Sequence, residues 1–433
     1  MRLTLSTLLL SACLNAWPQT PADTLTGDWI FEIEYRGDRM IATRAQMNVA
    51  DGKITGRVGN SEIRGTTSNG ALDLKWLARN GAVEASLTGK YENGRLSGAA
   101  TSPDGLTYTW IAYRDVTEPS EPRTHDFAPT EFERYFSAAT KPVLRIRPGD
   151  TVRTWSVDAG GTDSAGKRRS LGGNPLTGPF FVEGALPGDT LIVRLKRVRL
   201  NRDWAQSGTS IVSNAVSSEY LTNLKRAENF SSRWRLDTKT GTAALEHPTE
   251  ALRGFRVPLD PMVGCVAVAP LRKEVITTRD SGGFGGNMDY NRIREGTAVY
   301  LPVNHPGALL FIGDGHAAQG DGELTGDALE TSMDLEFTVD LIRGRSAGAP
   351  YAEDAEYWMM IGIASSLDEA LRRATTRAAR YLEIEHGLNS TEAAVVLGFA
   401  LEYDVADLVG TQVSVVAKLP KKTLAQLLPR KTP

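Results

Sequence analysis

The most chemically informative stretch of the chain is IGDGHAAQGDGE, residues Ile312 to Glu323, which combines three carboxylates, a histidine and a glutamine. It follows the apolar run GALLFIG, which is typical of a buried strand. Asp314 and His316 are two residues apart, so in an extended backbone their side chains point to the same side, as two ligands of one metal ion should. The surrounding glycines permit tight turns and close approach of a small ligand. The stretch therefore predicts half of a polar site that binds a metal.

A second glycine-rich loop has similar chemistry. The sequence GGFGG at residues 282 to 286 is followed by Asn287 and Asp289, which are again two residues apart. The loop has neither the lysine of a phosphate-binding P-loop nor a full G-x-G-x-x-G pattern, so it gives no support to nucleotide binding. Two such loops in one region favour a functional site over two plain structural loops.

Composition restricts the class of protein that can carry this site. The chain has 433 residues, of which 41% are hydrophobic, so it is long enough for two domains with ordinary cores. Its 49 basic and 52 acidic residues give a formal charge of −3, and like charges form no long block. The sequence therefore predicts a globular protein without a nucleic-acid surface.

The first 22 residues have the pattern of an export signal. Arg2 is followed by an apolar stretch much shorter than the roughly 20 residues that a membrane span requires. The sequence LSAC resembles a bacterial lipobox, in which Cys13 would carry a lipid, and simple cleavage after Ala16 is the alternative. The expected location is the periplasm or outer envelope, with contact to a membrane only through that lipid.

The remaining cysteine has no partner for a disulfide. Cys265 lies in the apolar run MVGCVAVAP, and Cys13 is the only other cysteine. No intramolecular disulfide is therefore possible in the folded part. We expect a buried structural thiol at Cys265 and no nucleophile.

Residues 23 to 115 are expected to form a small all-β domain, either a lipocalin-like barrel or a sandwich. Turn dipeptides such as Asn69-Gly70 and Asn93-Gly94 recur with room for one short strand between them. The start Gly27-Asp28-Trp29 resembles that of lipocalin-like barrels. Because this region has no histidine and no carboxylate cluster, it is predicted to be an accessory module. Residues 116 to 123, VTEPSEPR, follow as a linker.

Residues 124 to 433 contain all five histidines and are predicted to form the catalytic domain. Strand patterns such as TLIVRLKRVRL and MDLEFTVDL dominate its first part. A late helix has Ser366 as N-cap and Gly387 as its stop, with an apolar face formed by Leu367, Leu371, Ala374, Ala378 and Leu382. The predicted class is α+β, a β-rich domain with few helices.

Several stretches of this domain resemble the acetamidase/formamidase family of metal-dependent amide hydrolases. They occur in the family's order from about His125 to Pro420, and they are KPVLRIRPGDTV, NPLTGPFFVEGALPGDTL, SGGFGGNMD, LPVNHPGALLFIGDGHAAQGDGELTGDALETS and YDVADLVGTQVSVVAKLP. The resemblance implies hydrolysis of short linear amides such as formamide and acetamide to ammonia and a carboxylic acid. The small amide is then the expected partner, and a homo-oligomer is the expected assembly.

Other routes to amide hydrolysis find no support in the residues. The chain has no G-x-S-x-G elbow and no segment of the Ser-Ser-Lys type, and Cys265 lacks an activating environment. A metal-activated water therefore remains as the mechanism, with zinc as the preferred divalent ion and calcium as the alternative. The candidate ligands are His316, Asp314 and Asp289, followed by the weaker candidates Glu183 and Asp158.

Amide hydrolysis also requires a proton on the leaving nitrogen. We expect Glu323 to carry that proton from water to nitrogen, with His316 and Asn287 as the other catalytic residues. Asn287 and Gln319 are the candidates for substrate binding. Two alternatives stay open: a hydrolase of a larger amide at the same site, and a non-catalytic envelope module whose carboxylates hold calcium. Calcium rarely takes histidine, so metal binding through His316 would count against the module.

Overall fold

The computed structural model describes residues 24–35, 39–115 and 121–428. These residues form two compact units that divide after Asp115. The predicted export segment, including Cys13, and residues 116–120 of the predicted linker lie outside the described residues.

The described part of the first unit forms a closed antiparallel barrel, which is one of the two predicted alternatives. Its eight strands follow one another in chain order, and β1 closes the barrel by pairing with both β2 and β8. Buried aromatic side chains fill its interior, including Trp29, Phe31 and Trp110. The strands are β1 (Gly27–Tyr35), β2 (Arg39–Ala50), β3 (Lys53–Val58), β4 (Ser61–Ser68), β5 (Ala71–Leu77), β6 (Val83–Glu92), β7 (Arg95–Thr101) and β8 (Thr107–Arg114).

The second unit is rich in short strands. In chain order they are β9 (Thr124–Asp126), β10 (Tyr135–Ser137), β11 (Leu144–Ile146), β12 (Thr151–Ser156), β13 (Thr177–Val182), β14 (Thr190–Leu200), β15 (Trp204–Gln206), β16 (Arg233–Asp237), β17 (Thr242–Leu245), β18 (Val257–Pro258), β19 (Met262–Ala267), β20 (Val275–Thr277), β21 (Ser281–Gly282), β22 (Gly285–Asn287), β23 (Ala298–Pro302), β24 (Leu310–His316), β25 (Glu330–Thr331), β26 (Met333–Ile342), β27 (Tyr351–Glu353), β28 (Tyr357–Ala364), β29 (Glu402–Asp407) and β30 (Val413–Pro420).

Two large sheets organise the described part of this unit. One has the strand order β29-β30-β28-β27-β23-β14-β26-β12-β9. The other has the order β18-β17-β16-β15-β25-β24-β19-β22-β21, with β13 also pairing with β24. Buried side chains from both sheets, such as Phe311 and Phe337, belong to one hydrophobic core. This core fixes β24 and β19, the two strands that carry the candidate site.

Helices cover only a small part of the second unit. They are α1 (Ser218–Thr222), α2 (Leu367–His386), α3 (Ser390–Ala400) and α4 (Lys421–Leu424), with 3₁₀ turns at Ser213–Ala215 and Glu250–Leu252. The β-rich α+β class is thus confirmed. Helix α2 begins after Ser366 and ends at Gly387, whose φ of 71° is left-handed, as the sequence predicts.

The predicted apolar face of α2 needs one correction. Ala374, Ala378 and Leu382 are buried as expected, and Ala370 is buried with them. Leu367 and Leu371 are each 41% exposed. The buried residues follow a strict four-residue spacing, so small alanines bring the helix close to the sheet and the two leucines stay outside that line.

Within the described ranges, no helix combines the length and the apolar character needed to cross a membrane.

Candidate functional site

The floor of the candidate site is the pair of strands β19 and β24. Met262 lies opposite His316 and Cys265 lies opposite Gly313 in this antiparallel pair. Gly264 lies between these positions, and a Cβ atom built on it would come within 2.4 Å of Asp289 Oδ1 and 2.8 Å of Asp314 Oδ2. Only a glycine therefore leaves room for the carboxylates above this strand.

Five acidic or histidine side chains converge above the floor and form two overlapping groups that could hold a metal ion. One group is Asp289, His316 and Glu323, and the other is Asp314, His316 and Glu330. Within each group the possible ligand atoms lie within 4.8 Å of one another. His316 Nε2 is 3.1 Å from Glu330 Oε1 and 3.6 Å from Asp314 Oδ1. All five side chains are buried.

Several ligand atoms of these groups are buried without a hydrogen-bond partner among the described residues. They are Asp289 Oδ1, Asp314 Oδ1, His316 Nε2 and Glu330 Oε2. Leaving one buried polar atom unpaired costs roughly 1 to 3 kcal/mol, and more for a charged group. Four such atoms around one point are explained if a divalent cation accepts their lone pairs. The residues therefore fit a metal ion, and each group offers the three protein ligands that catalytic zinc sites commonly use.

The hydrogen bonds of Gln319 orient His316 for this role. Gln319 Nε2 donates to the carbonyl oxygens of Asp289 and Ala406, at 2.5 Å and 3.5 Å, which fixes the orientation of its amide. Its Oε1 then faces His316 Nδ1 at 2.8 Å and can only accept. His316 Nδ1 must therefore carry the proton, and Nε2 is left with a free lone pair toward the carboxylates. A hydrogen bond to the ring nitrogen that does not face the metal commonly fixes the tautomer of a metal-binding histidine.

Burial and mutual repulsion oppose ionisation of the clustered carboxyls. Burial raises the pKa of Glu323 to about 9 against the opposing effect of His316, and the nearby carboxylates of Glu330 and Asp314 raise it further. Burial also raises the pKa of Glu330 to about 7, and the pKa of Asp289 is raised well above its usual range by burial and by Glu323 and Asp314. Burial lowers the pKa of His316, but Glu330 and Asp314 outweigh burial and raise it well above its usual value. Without a metal ion, these carboxyl groups and His316 therefore hold extra protons, which a bound cation would displace.

Two asparagines link the carboxylates to each other. Asn174 Nδ2 donates to Asn287 Oδ1 at 3.0 Å and to Asp314 Oδ2 at 2.9 Å. Asn287 Nδ2 in turn donates to Asp289 Oδ2. Asn174 Oδ1 has no hydrogen-bond partner among the described residues, which leaves it able to accept a hydrogen bond from a ligand.

The polar loop that carries Glu323 is held by the C-terminal strand β29. The backbone N–H of Gly322 donates to the carbonyl of Ala406 at 3.2 Å, and that of Leu408 donates to the carbonyl of Gly322 at 3.1 Å. The Glu323 carboxylate accepts a hydrogen bond from the N–H of Ala328 at 2.9 Å. Both its backbone and its side chain are thus fixed, so Glu323 points into the site from a rigid position.

A polar cavity of about 450 Å³ opens beside these residues. Its wall includes Asn174, Asn287, Glu323 and Glu330. The other lining residues are Thr277, Arg279, Asp280, Gly326, Asp327, Val409, Gly410 and Thr411. A small molecule can therefore reach both the ligand groups and the asparagines from solvent.

Backbone conformation at the site is unusual. Four residues of the site have a φ in the left-handed region, which residues other than glycine rarely adopt. The values are 54° at Asn174, 41° at Asp289, 60° at Asp314 and 49° at Glu323. Such conformations cost of order 1 to 3 kcal/mol each and tend to cluster at active sites and ligand clamps. Their concentration here supports a functional site, because the surrounding fold has to hold each of them in place.

The structure brings together most of the residues singled out from the sequence. His316, Asp314, Asp289 and Glu323 form the ligand groups, Asn287 hydrogen bonds within them, and Gln319 supports His316 from behind. Gln319, one of the two residues predicted to bind substrate, thus uses both polar ends of its amide on the protein. The other four histidines belong to neither group.

The two weaker candidate ligands lie in other interactions. Glu183 forms ion pairs with Arg145 and Arg147. The Asp158 carboxylate accepts a hydrogen bond from Arg202 at 2.7 Å, and Arg202 also donates to the carbonyl of Glu330 at 3.1 Å. Neither carboxylate belongs to a ligand group, and the contact through Arg202 makes Asp158 a support behind Glu330.

The thiol of Cys265 is buried and free, as expected. Burial raises its pKa well above the usual range, and the carboxylates of Asp314 and Asp289 raise it further. The thiolate is therefore disfavoured, and Cys265 has no nucleophilic role in this environment.

Sequence reasoning did not identify four contributors: Glu330, Asn174, Asp407 and Gly264. Glu330 lies directly opposite His316 in the pairing of β24 with β25. Asp407 lies in β29, and burial raises the pKa of its carboxyl to about 7. Both carboxylates, and Asn174, fall inside LTGDALETS, YDVADLVG and NPLTGPF, which belong to the stretches that resemble the family, and this resemblance would have been the signal for them.

The chain matches one family profile and several known proteins. The profile of the Acetamidase/Formamidase family matches residues 273–426. The chain is 27% identical over 331 residues to a formamidase of Methylophilus methylotrophus, covering 60% of this chain and 80% of that protein. It is also 27% identical over 192 residues to a Schizosaccharomyces pombe protein, of which it spans 47%, about half the length.

A solved structure shows a similar fold over most of the chain. The crystal structure of a predicted acetamidase/formamidase from Thermoanaerobacter tengcongensis superposes with a TM-score of 0.61 and 27% identity. The match covers 71% of this chain and 99% of the other, so this chain has residues with no counterpart in that structure. The family profile, the relatives and the fold all agree with the resemblance drawn from the motifs: the chain is similar to the acetamidase/formamidase family.

Proposed function

We propose that the second domain hydrolyses short linear amides, formamide and acetamide among them, to ammonia and the corresponding carboxylic acid. The observation that carries this proposal is the set of buried ligand atoms without partners at the end of an open polar cavity. The family and the relative described as a formamidase support the reaction class.

A divalent metal ion, zinc in our proposal, would be held by His316 with Asp314 and Glu330, and Asp289 is a further candidate ligand, which leaves Glu323 for proton transfer. Bound there, it would lower the pKa of water and polarise the amide oxygen. The donor set contains one imidazole nitrogen among carboxylate oxygens, and a histidine ligand disfavours calcium, which prefers oxygen alone. This argues against the alternative of a purely structural calcium module.

The residues of the chain then handle the substrate and the proton. Asn174 and Asn287, on the cavity wall, would orient the amide, with Asn174 Oδ1 accepting from the substrate N–H. Glu323 takes a proton from the attacking water and delivers it to the amide nitrogen, so that the C–N bond breaks and ammonia leaves. Without a metal ion, burial raises the pKa of Glu323 to about 9, so its carboxyl is protonated at neutral pH. A cation bound nearby would lower this pKa and free the carboxylate to accept a proton from water.

The size of the cavity favours a second candidate, a larger amide at the same site. A volume of about 450 Å³ lies within the range of roughly 300 to 1,000 Å³ that is typical of pockets for drug-sized ligands. Formamide and acetamide have only three and four non-hydrogen atoms and would leave most of it filled with water.

Ammonia release by the purified protein tests both candidates. Formamide, acetamide, propionamide, hexanamide and benzamide are compared at equal concentration, and the kcat/KM series shows which size of acyl group fits best. We expect the protein to release ammonia from at least one of these amides. We expect His316→Ala to lose both this activity and the bound metal. A protein that releases no ammonia from any amide while carrying its metal would contradict the proposal, and retention of stoichiometric metal in His316→Ala would show that the ligand set is wrong.

A further inference from the structure

A second cavity, which no step of amide hydrolysis uses, lies between α2 and the segment of residues 345–351. It has a volume of about 540 Å³. Five arginines line it: Arg345, Arg372, Arg373, Arg377 and Arg380. The lining includes only two acidic residues, Glu369 and Glu385, so the positive charges outnumber the negative ones. We call this space the arginine cavity.

The acidic residues leave two of these arginines without a carboxylate. Arg345 pairs with Glu385, and Arg372 and Arg373 pair with Glu369. Arg377 and Arg380 form no ion pair with any described residue. These two guanidinium groups lie one turn apart on α2, where like charges repel each other.

Burial at Arg377 makes the lack of a partner costly. One of its terminal nitrogens donates to the carbonyl of Ala347 at 3.0 Å, but its Nε is buried with no hydrogen-bond partner among the described residues. Burial lowers the pKa of Arg377 to about 10, against a stabilising effect of Tyr351, and the charge of Arg380 lowers it further. An anion between the two guanidinium groups would relieve both penalties.

The remaining walls of the arginine cavity are aromatic and aliphatic. Tyr351 and Tyr381 line it, and neither phenol hydroxyl hydrogen bonds to a described residue. Tyr351 stacks on Tyr300 with ring centroids 4.4 Å apart, which holds its ring in place. Met360, Ile361 and Ile363 complete the apolar surface. The wall thus combines unused donors for an oxyanion with room for an apolar body.

We propose that the arginine cavity binds a small organic anion, in which an oxyanion head is attached to an apolar or aromatic body. The head lies between Arg377 and Arg380, whose planar forks suit the geometry of carboxylate and phosphate oxygens. The body packs on Tyr351 and the aliphatic side chains. This site is separate from the metal groups and does not depend on the reaction proposed for them.

Titration calorimetry on the full-length protein tests this proposal. Metal is first removed with a chelator, because carboxylates and phosphates also bind metal ions. The two anionic probes are benzoate and phenyl phosphate, which distinguish a carboxylate from a phosphate head. Benzyl alcohol provides the body without the charge, and inorganic phosphate provides the charge without the body. We expect one site per chain for at least one anionic probe, with clearly weaker binding of both partial probes.

Variants locate the site. Arg380 is exposed, so Arg380→Gln should fold normally and raise the Kd of the preferred probe roughly tenfold, as expected for the loss of one charge-assisted hydrogen bond. Arg377→Lys keeps the charge but loses the fork, and it should weaken binding as well. Arg226→Gln removes an exposed arginine elsewhere and should change nothing. No binding of either anion, equal binding of benzyl alcohol, or an unchanged Kd in Arg380→Gln would each overturn the proposal.

Discussion

The sharpest test of the site concerns a residue with no functional group. In Gly264→Ala the new Cβ atom would lie 2.4 Å from Asp289 Oδ1, 2.8 Å from Asp314 Oδ2 and 3.1 Å from His316 Cε1. Ordinary contact begins at 3.4 Å, so the Asp289 oxygen has to move by about 1 Å. Asp289 is fully buried, so its carboxylate cannot move out into solvent.

The backbone itself would accept the change. Gly264 does not have a left-handed φ, so alanine there carries no conformational penalty and by itself would stabilise the fold slightly. Any loss in the variant must come from displaced ligands. A displacement of about 1 Å at a reacting centre can cost roughly 10²-fold in rate, and overpacking typically costs about 1 to 3 kcal/mol of stability.

The assay measures kcat on the best amide, metal content by elemental analysis, and the unfolding midpoint. We expect a fall in kcat of roughly 10²-fold and reduced metal content, with the protein still folded. Gly320→Ala is the matched control, because Gly320 lies close to His316 in sequence and, like Gly264, has no left-handed φ, but has no atom within 4 Å of the added Cβ. Normal kcat and metal content in Gly264→Ala would show that the ligand groups are not the reactive centre.

Three further predictions follow from the same geometry. Glu323→Gln should lower kcat by roughly 10² to 10⁴-fold with metal still bound, whereas loss of metal would make Glu323 a ligand and a normal kcat would remove it from the mechanism. After chelation, the free energy of unfolding should fall as pH rises from about 4.5 to about 9, because the folded state keeps a proton on Glu323 that the unfolded state has released. Added zinc should flatten this pH dependence. A free energy of unfolding that does not change with pH in the metal-free protein would refute the prediction. Deletion of residues 1–115 should leave a folded, active hydrolase, since every residue of the site lies in the second unit, and loss of turnover with folding intact would contradict this.

The sequence was sufficient for the features that depend on local pattern. The alternating residues and Asn-Gly turns of the first domain predict an antiparallel barrel or sandwich, and the structure has the barrel. Ser366 and Gly387 correctly bound α2. The two-residue spacing of Asp314 and His316 predicts neighbouring side chains, and the structure places His316 Nε2 3.6 Å from Asp314 Oδ1. The backbone at Asp314 is left-handed, with a φ of 60°, and not extended as the prediction assumed.

Local sequence patterns could not predict contacts between residues that are far apart in the chain. Glu330 faces His316 only because β24 pairs with β25 in one particular register, and a shift by one residue would turn it away. Asn174 reaches Asp314 across 140 positions of sequence. The weaker ligand candidates show the converse, since local glycines around Glu183 and Asp158 resemble those of the site, yet the nearest arginines neutralise both carboxylates.

The left-handed backbone at Asn174, Asp289, Asp314 and Glu323 also limits how this site can evolve. Asparagine and aspartate tolerate this conformation better than other side chains, so exchange between them keeps the backbone and changes only the charge. Valine, isoleucine or threonine would disturb the chain itself at any of these positions. Single mutations from the present sequence can therefore vary the charge of the ligand groups, and with it the preferred metal, more readily than they can vary the shape of the site.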